Sequence, residues 1–492
     1  MEFSIVATLE KRKKTDLLVI PFWKMDKSVK EAASAHSMTS QISPPQDVKD
    51  FGAKEGEVLM LYPKGFLEER VALLGLGEEK KVSIEILRRA YAQLIKSSLK
   101  KNIQSINLLM PEAASLNGEQ VAFGIAEGML LANYVYEDLK GESFKEKTAL
   151  IKKAVFVGGT TKSLGKAKYA ALVCEGVYLA RNLINGNADD VTPQKLAATA
   201  KDLEKKFKGV KATVFDKKRI EKEQMGLLLA VGRGSSIDPA FIILEYTGDP
   251  KNKERTVVVG KGVTYDTGGL SLKPTSGMLD MKCDMSGAAA ALGTIYAAAN
   301  TGLKKNVTAV IPATENSIGS RSYKPGDIYK SFFGKTVEIG NADAEGRLIL
   351  ADALAYVEKN LKPSCIIDFA TLTGAIVVAL GEEASGLMSN DDALSERLRL
   401  AGESTYERVW RLPLFEEYKP QLESDFADIN NVGGKEASSI TAALFLQEFV
   451  EKTPWAHLDI AGTAHLSKAR RYHPKHGTGV GVRLMMEFLS QM

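Results

Sequence analysis

Apolar and polar residues follow two periodicities along the chain, and together these predict strands and helices in regular succession. In the first 150 residues, short β-like runs such as DLLVIPF, VALLGLG and SINLLM are separated by helical stretches such as SIEILRRAYAQLIKSSLKK. From about residue 166, the runs TVVVG, VTAVIPA, TVEIG, CIIDFA and AHLDIAG again alternate with helical stretches. This βαβ order is typical of a mainly parallel sheet covered by helices. We therefore predict an α/β fold.

The length of the chain, 492 residues, exceeds what one hydrophobic core normally serves, so we expect more than one domain. A lysine-rich and then glycine-rich segment between residues 140 and 165 indicates a domain boundary. The prediction is a smaller N-terminal α/β domain at 1–150 with an assembly role, a boundary at 151–165, and a larger catalytic domain at 166–492.

Composition restricts the partners and the compartment. The 65 basic and 61 acidic side chains nearly balance, which gives little reason to expect nucleic acid or an acidic membrane as a partner. The alanine-rich run at 287–300 is too short to span a bilayer, and the first residues lack the apolar core of a signal peptide. The three cysteines have no CxxC spacing, so a reducing compartment fits best. We expect a cytoplasmic protein without a membrane segment.

The first candidate for chemistry is the block TVVVGKGVTYDTGGLSLKPTSGMLDMKCDMSGAAAA, residues 256–291. It begins with a predicted strand rich in β-branched residues and ends with a predicted alanine-rich helix. Between them lie four charged residues: Lys261, Asp266, Lys273 and Asp284. The pair Gly268–Gly269 lets the backbone turn tightly, which a run of surface charges does not require.

The second block has the same layout: the strand TVEI is followed by Asp343, Glu345 and Arg347 and then by a helix. Asp343 and Glu345 are two residues apart, so an extended segment would project both to one side. If the two blocks adjoin, four carboxylates repel one another unless cations neutralise them. Oxygen-rich sites favour magnesium, manganese or zinc, often as a pair of ions in hydrolases.

Several stretches resemble the leucyl aminopeptidases, also called cytosol aminopeptidases. The resemblance rests on GKGVTYDTGGLSLKP, MKCDMSGAAA, NADAEGRL, AVGRGS, DFATLTGA, ITAALFLQEF and HLDIAGTA, and covers roughly residues 165–485. It implies a metal-dependent exopeptidase that releases the first residue of peptides with a free N-terminus, preferably leucine or another apolar residue. It also implies a homohexamer.

The resemblance further implies a role for each residue of the two blocks. Lys261, Asp266, Asp284 and Glu345 would hold one exchangeable divalent ion, and Asp266, Asp343 and Glu345 a tighter one, either ion being manganese, zinc or magnesium.

Beside these ligands, the resemblance makes Lys273 and Arg347 catalytic: Lys273 would polarise the scissile carbonyl, and Arg347 would anchor a bicarbonate that acts as general base. A water between the ions would be the nucleophile. The side-chain pocket of the family maps onto Met281, Thr371, Gly374, Ala461 and Ala464.

Other interpretations stay open at this stage. A single acid after a strand is more often a helix cap than a ligand. His457, His465, His473 and His476 match no closed zinc motif, which favours packing or surface roles. The basic run SKARRYHPKH leaves a DNA-binding or regulatory role as one alternative. A two-metal phosphoesterase is another, although a ligating lysine does not suit it.

Overall fold

The computed structural model describes residues 1–25, 28–33, 50–99, 101–141 and 149–491. The contacts within it define two compact units, 1–174 with 468–474, and 175–467 with 475–492. Residues 142–148, which are part of the lysine-rich segment before the predicted domain boundary, lie outside the described residues. The predicted domain limits stay a prediction.

The first unit is a mixed sheet with helices. Over the described residues its seven strands run in the order β1–β7–β6–β2–β5–β4, with β3 on the edge of β2. Parallel pairs join β1 to β7, β7 to β6, β6 to β2 and β2 to β5. The strands are β1 (Glu2–Val6), β2 (Leu17–Lys24), β3 (Val29–Glu31), β4 (Val58–Leu61), β5 (Val71–Gly75), β6 (Ser105–Leu109) and β7 (Lys153–Val157).

Capping side chains fix where the helices of this unit begin. Ser83 accepts a hydrogen bond from the Ile86 N–H at the start of α1, and Asn117 forms a capping box with Gln120 at the start of α2. The helices are α1 (Ile84–Ser98) and α2 (Gly118–Ala132), and a third helix, α3 (Thr161–Asn185), contains the division between the units after residue 174. The strand β7 lies within the stretch that the sequence indicated as a boundary.

A larger sheet forms the centre of the second unit. Its nine strands among the described residues run β17–β16–β19–β15–β10–β12–β9–β8, with β11 on β12. The strands are β8 (Val210–Phe215), β9 (Ala240–Thr247), β10 (Thr256–Gly260), β11 (Gly262–Asp266), β12 (Asn306–Asn316), β15 (Cys365–Ala370), β16 (Ser385–Ser389), β17 (Val409–Arg411) and β19 (Trp455–Asp459). The central run β19–β15–β10–β12 is parallel, which confirms the prediction of a mainly parallel sheet.

One predicted strand belongs elsewhere. The run TVEIG forms β14 (Thr336–Glu338), which pairs with β13 (Ile328–Lys330) and β18 (Ile429–Asn430) in a separate three-stranded sheet of the described chain. The prediction that it joins the central sheet is therefore wrong. Two further short strands, β20 (His465–Leu466) and β21 (His476–Gly477), pair with each other.

Helices cover the central sheet and bury its apolar side chains. Val257 and Val259 of β10 and Leu348, Ile349 and Ala353 of α9 share one apolar core. The helices are α4 (Pro193–Lys206), α5 (Lys217–Lys222), α6 (Gly226–Gly232), α7 (Thr275–Met278), α8 (Ser286–Thr301), α9 (Glu345–Asn360), α10 (Gly374–Leu380), α11 (Asp392–Thr405), α12 (Ser438–Gln447) and α13 (Val482–Ser490). No helix in the described part of the chain is long and apolar enough to cross a bilayer.

Neighbouring parallel strands of this sheet end at one edge, and this edge positions the site. β10 pairs with β15, and β15 pairs with β19, in the same direction. Residues one or two positions after the strands, such as Lys261, Thr371 and Ala461, therefore emerge close together. A hydrogen bond of 3.0 Å from the Lys261 N–H to the Phe369 carbonyl joins two of these strand ends.

Candidate active site

Asp266, the last residue of β11, is held by two hydrogen bonds before any cation is considered. Its Oδ1 accepts from the Gly268 N–H at 2.9 Å and from the Asn316 Nδ2 at 2.8 Å. The chain then turns sharply through Gly268 and Gly269, whose φ angles are +83° and +60°. The sequence did not single out Asn316, although an asparagine at the end of an apolar strand was a usable signal.

Lys261 lies between two acids that come from different elements. Its Nζ is 2.8 Å from Asp284 Oδ1 and 2.9 Å from Glu345 Oε1, and it donates to the Thr371 carbonyl at 2.9 Å. Asp284 belongs to the 3₁₀ helix Met281–Met285 that leads into α8. The two sequence blocks therefore meet at this lysine.

The second block reaches the site in a different way from the one predicted. Asp343 lies in a turn, and Glu345 is the first residue of α9, so an extended segment that projects both acids to one side is wrong. A β-carbon on Gly346, between Glu345 and Arg347, would lie 2.6 Å from Lys261 Cε, so the lysine side chain would have to shift to admit any other residue there. The close approach of helix and lysine thus depends on that position.

Arg347 lies in the first turn of α9 and is only 6% exposed. Its Nη1 donates to the Asn431 carbonyl at 2.9 Å, while its buried Nε has no hydrogen-bond partner among the described residues. Burial lowers the pKa of Arg347 to about 10, and the Glu345 and Asp459 carboxylates oppose the shift. A buried guanidinium with a free donor is suited to bind an anion.

Lys273 bridges two acids on the more open side of the cluster. Its Nζ lies 2.9 Å from Asp266 Oδ2 and also pairs with Asp343 Oδ1. The structure thus brings together all seven charged residues that the two blocks supplied. These are Lys261, Asp266, Lys273, Asp284, Asp343, Glu345 and Arg347.

The crowded acids perturb one another. Burial raises the pKa of Asp284 well above its ordinary value, Lys261 opposes this, and Glu345 and Asp266 raise it further. Burial also raises the pKa of Asp266, and the negative charge of Glu345 raises it further. Burial alone would lower the pKa of Lys261, but Asp284, Glu345 and Asp266 raise it above the ordinary lysine value. The cluster therefore favours positive charge in its centre.

The donor set fits divalent cations. Carboxylate oxygens of Asp266, Asp343 and Glu345 all lie within 4.8 Å of one another. The Oδ2 atom of Asp284 is buried and has no hydrogen-bond partner among the described residues, so a ligating oxygen is left over. Three to four carboxylates with one lysine and no thiolate are typical of a site for magnesium, manganese or zinc.

A cavity of about 550 Å³ opens onto this cluster. Four of the five predicted pocket residues line it, namely Met281, Thr371, Gly374 and Ala461. Ala464, the fifth, is completely buried and is not among the described lining residues.

Asp459 positions part of the cavity wall, which the sequence did not reveal. Its carboxylate accepts from the Leu372 N–H at 3.1 Å, the Thr373 hydroxyl at 2.7 Å and the Ala461 N–H at 3.2 Å. These bonds fix the two loops that follow β15 and β19. Asp459 is itself the last residue of β19, a position at which acids carry weight in a parallel sheet.

The four histidines near the end of the chain stay outside the cavity. His457 is buried on β19, and its Nδ1 lies 2.6 Å from Asp368 Oδ1, as expected of a core histidine. His465 and His476 contact each other at the β20–β21 pair.

Comparisons with known proteins point in one direction. The catalytic-domain model of the cytosol aminopeptidase family matches residues 178–486, and its N-terminal-domain model matches residues 19–143. A "probable cytosol aminopeptidase" of Protochlamydia amoebophila is 54% identical over 494 residues, which cover 100% of this chain and 99% of the relative. One of Chlamydia trachomatis is 46% identical and covers 99% of this chain and 98% of its own length.

Two solved structures agree with these relatives. A mutant of tomato leucine aminopeptidase is 31% identical, with a TM-score of 0.88 over 100% of this chain and 97% of its own. A bottromycin maturation enzyme in complex with manganese is 30% identical, with a TM-score of 0.86 over 97% of this chain and 99% of its own. Neither comparison favours the DNA-binding or the phosphoesterase alternative. The chain belongs to the cytosol aminopeptidase family and is a metal-dependent aminopeptidase.

Proposed function

We propose that the chain removes N-terminal leucine, or another apolar residue, from peptides by means of two divalent cations held in the carboxylate cluster. The observation that carries the proposal is the meeting of Asp266, Asp343 and Glu345 with Lys261 and Asp284 beside a cavity with apolar walls. Asp266 and Glu345 would contact both ions, Lys261 and Asp284 one, and Asp343 the other. Manganese, zinc and magnesium all suit these donors.

Each remaining charged residue has a task that its surroundings support. When bound, the ions supply Lewis acidity toward the peptide carbonyl and toward water. The Lys273 ammonium, which faces the cavity, would donate to the carbonyl oxygen as negative charge develops there. The free Nε of Arg347 would hold bicarbonate, which would accept a proton from the attacking water.

The cavity wall sets the preference for the first residue of the peptide. Met281 and Ala461 offer apolar surface, and the small residues Thr371 and Gly374 leave room for a branched side chain. Discrimination among apolar residues by such a pocket is modest, about 1 to 3 kcal/mol per methylene. The substrate's free amino group would lie among the carboxylates and their cations, so only N-terminal residues are released.

The proposal extends to the setting of the reaction. The resemblance to the family supports a homohexamer. The three cysteines have no CxxC spacing, which supports a location in the cytoplasm. We assign no role to nucleic acid.

A screen of aminoacyl anilides with metal-reconstituted enzyme tests the proposal. After exhaustive dialysis against a chelator, we expect no hydrolysis of leucine anilide, and we expect manganese, zinc or magnesium to restore it. Activity that survives the dialysis would contradict a metal-dependent reaction at this cluster. Turnover of a phosphate ester without turnover of any anilide would instead support the phosphoesterase.

A further inference from the structure

A second group of metal-ligating side chains lies in the second unit, outside the catalytic cavity. It consists of Asp280, His465 on β20 and His476 on β21. His476 Nδ1 is 3.2 Å from His465 Nε2, which is 3.9 Å from Asp280 Oδ1. One ligand atom from each of the three residues lies within 4.8 Å of the others. None of the three is among the described residues that line the catalytic cavity.

We propose that Asp280, His465 and His476 bind one divalent transition-metal ion, of which zinc is the best fit. Tetrahedral zinc with ligands at about 2.0–2.1 Å holds its donor atoms roughly 3.3 Å apart. The two observed separations, 3.2 Å and 3.9 Å, lie on either side of that spacing. With three protein ligands, a fourth position remains for water.

The chemistry of the donors separates this site from the carboxylate cluster. Two imidazole nitrogens and one carboxylate suit zinc, copper or nickel, whereas magnesium and calcium prefer oxygen donors alone. Burial lowers the pKa of His465, and His476, Lys282 and Lys475 lower it further against the opposing effect of Asp280. Burial and Lys475 likewise lower the pKa of His476. The imidazoles are thereby kept neutral, which is the form that binds a metal.

Two lysines close to the proposed site oppose the binding of a cation, whereas the exposure of Asp280 favours it. The ammonium groups of Lys282 and Lys475 repel a cation, which disfavours ions that bind through charge alone. His476 has a φ of +75°, a left-handed conformation that a residue with a β-carbon rarely adopts. The side chain of Asp280 is 53% exposed, so an ion can reach the site from solution.

A bound ion at this place would connect the β20–β21 pair with the catalytic segment. Asp280 immediately precedes the 3₁₀ helix Met281–Met285, which carries Asp284 and the pocket residue Met281. The ion would therefore fix the start of that helix relative to the two strands. The new site does not depend on the aminopeptidase reaction, since it is defined by a separate donor set.

Metal counting on the full-length protein tests the proposal. We expect the wild-type protein, equilibrated with zinc and measured by mass spectrometry of the metal, to hold one zinc ion per chain more than His476→Asn or Asp280→Asn. Asparagine is chosen at 476 because it tolerates the left-handed backbone. His473→Gln, which changes a histidine three positions before His476 in the sequence and outside the cluster, serves as the control and should match the wild-type count.

A spectroscopic measurement identifies the ligands. Copper(II) bound to imidazole gives spin-echo modulation from the remote ring nitrogen, which carboxylates and lysine do not give. Because no described histidine lines the catalytic cavity, this modulation should appear in the wild type and in His473→Gln, and disappear in His476→Asn combined with His465→Gln. Equal zinc counts in all variants, or modulation that persists in the double variant, would overturn the proposal and leave only a hydrogen bond between the two imidazoles.

Discussion

Two lysines of the same cluster differ in their exposure and therefore in the task each can perform. The side chain of Lys261 is 3% exposed and lies between Asp284 and Glu345, whereas that of Lys273 is 18% exposed and faces the cavity. A buried lysine among ligands is placed to ligate, while a cavity-facing ammonium is placed to contact substrate. Substitution should separate these tasks.

The first prediction concerns Lys273→Ala. We expect the metal content to stay at the wild-type level, because the proposed ligand set does not include this side chain. We expect kcat to fall by about 100- to 1,000-fold, as for the loss of one donor to a developing oxyanion. Steady-state kinetics on leucine anilide, with metal counted in the same sample, measures both quantities.

Asp343→Ala is the matched comparison for that variant. It removes a proposed ligand of the tighter ion, so both the metal content and the activity should fall. If Lys273→Ala also loses metal, its lower rate could no longer be assigned to a lost hydrogen bond to the substrate's carbonyl oxygen. In that case the division of tasks between the two lysines would be wrong.

The second prediction concerns a buried acid away from the cavity. Asp352 on α9 accepts from the N–H groups of Leu227, Leu228 and Phe332 at 2.9, 3.0 and 2.8 Å. Burial nevertheless raises the pKa of Asp352 to about 7, although the three donors oppose the shift. Because the folded pKa lies above the unfolded one, the protonated acid favours the folded state, and this stability is lost as the pH rises toward and through 7.

Comparison of Asp352→Asn with the wild type isolates this effect. The free energy of unfolding of the wild type, relative to that of the variant, should fall by about 2.5 kcal/mol between pH 5 and pH 8. Urea unfolding at several pH values measures the difference. A difference that stays constant over this range would mean that Asp352 is already ionised at pH 5.

At the scale of elements, the site depends on how closely α8 approaches the strand ends. A β-carbon on Gly287 would lie 2.0 Å from the Phe369 carbonyl oxygen and 2.7 Å from the Lys261 nitrogen. Both atoms belong to the backbone, so the helix and the strand would have to move apart. The same movement would shift Asp284 and Lys261 relative to each other.

The third prediction is therefore that Gly287→Ala lowers stability by about 1 to 3 kcal/mol, the usual cost of overpacking, and also impairs activity. Thermal unfolding and anilide hydrolysis measure the two effects. The control is Gly165→Ala in α3, where a β-carbon meets no atom within 4 Å. There the change should stabilise the helix by up to about 1 kcal/mol, and a comparable loss in both variants would contradict the packing argument.

Sequence patterns predicted the central strands β10, β12, β15 and β19, because continuous apolar runs such as Thr256–Gly260 leave few other solutions. They also located Lys261, which follows β10, and Asp266, which ends β11, because residues at the ends of parallel strands converge. The path of the second block was not predictable in this way. Alternate spacing of Asp343 and Glu345 fits an extended segment, but Glu345 is the first residue of α9, which approaches Lys261 closely at Gly346.

Partners that act across long separations were also hidden from the sequence. Asn316 supports Asp266 from 50 residues away, and Asn431 supports Arg347 from 84 residues away. Asn316 had one usable signal, its place at the end of an apolar strand, but neither contact can be read from the sequence because each forms only when distant segments of the chain meet. The same reason explains why β14 was placed in the wrong sheet: three residues of strand pattern do not specify a partner.

At the scale of the whole molecule, the proposed homohexamer would decide what can reach the catalytic cavity. Val377 lines the cavity, and Val378 beside it on α10 is 90% exposed in the single chain. An exposed apolar side chain next to a residue of the cavity wall is available to contact another subunit or a substrate. The proposed homohexamer would enclose the active sites and exclude folded proteins.

The last prediction concerns the mass of the assembled enzyme and the size of the substrates that can reach its active sites. Six chains of 53.4 kDa give about 320 kDa, which light scattering after gel filtration should show at all concentrations used for assay. The fraction of that mass should hydrolyse short leucyl peptides but not release leucine from the terminus of a folded protein, because the latter cannot enter an enclosed cavity. A fully active species of one chain, or equal rates on peptide and folded protein, would show that enclosure plays no part in choosing the substrate.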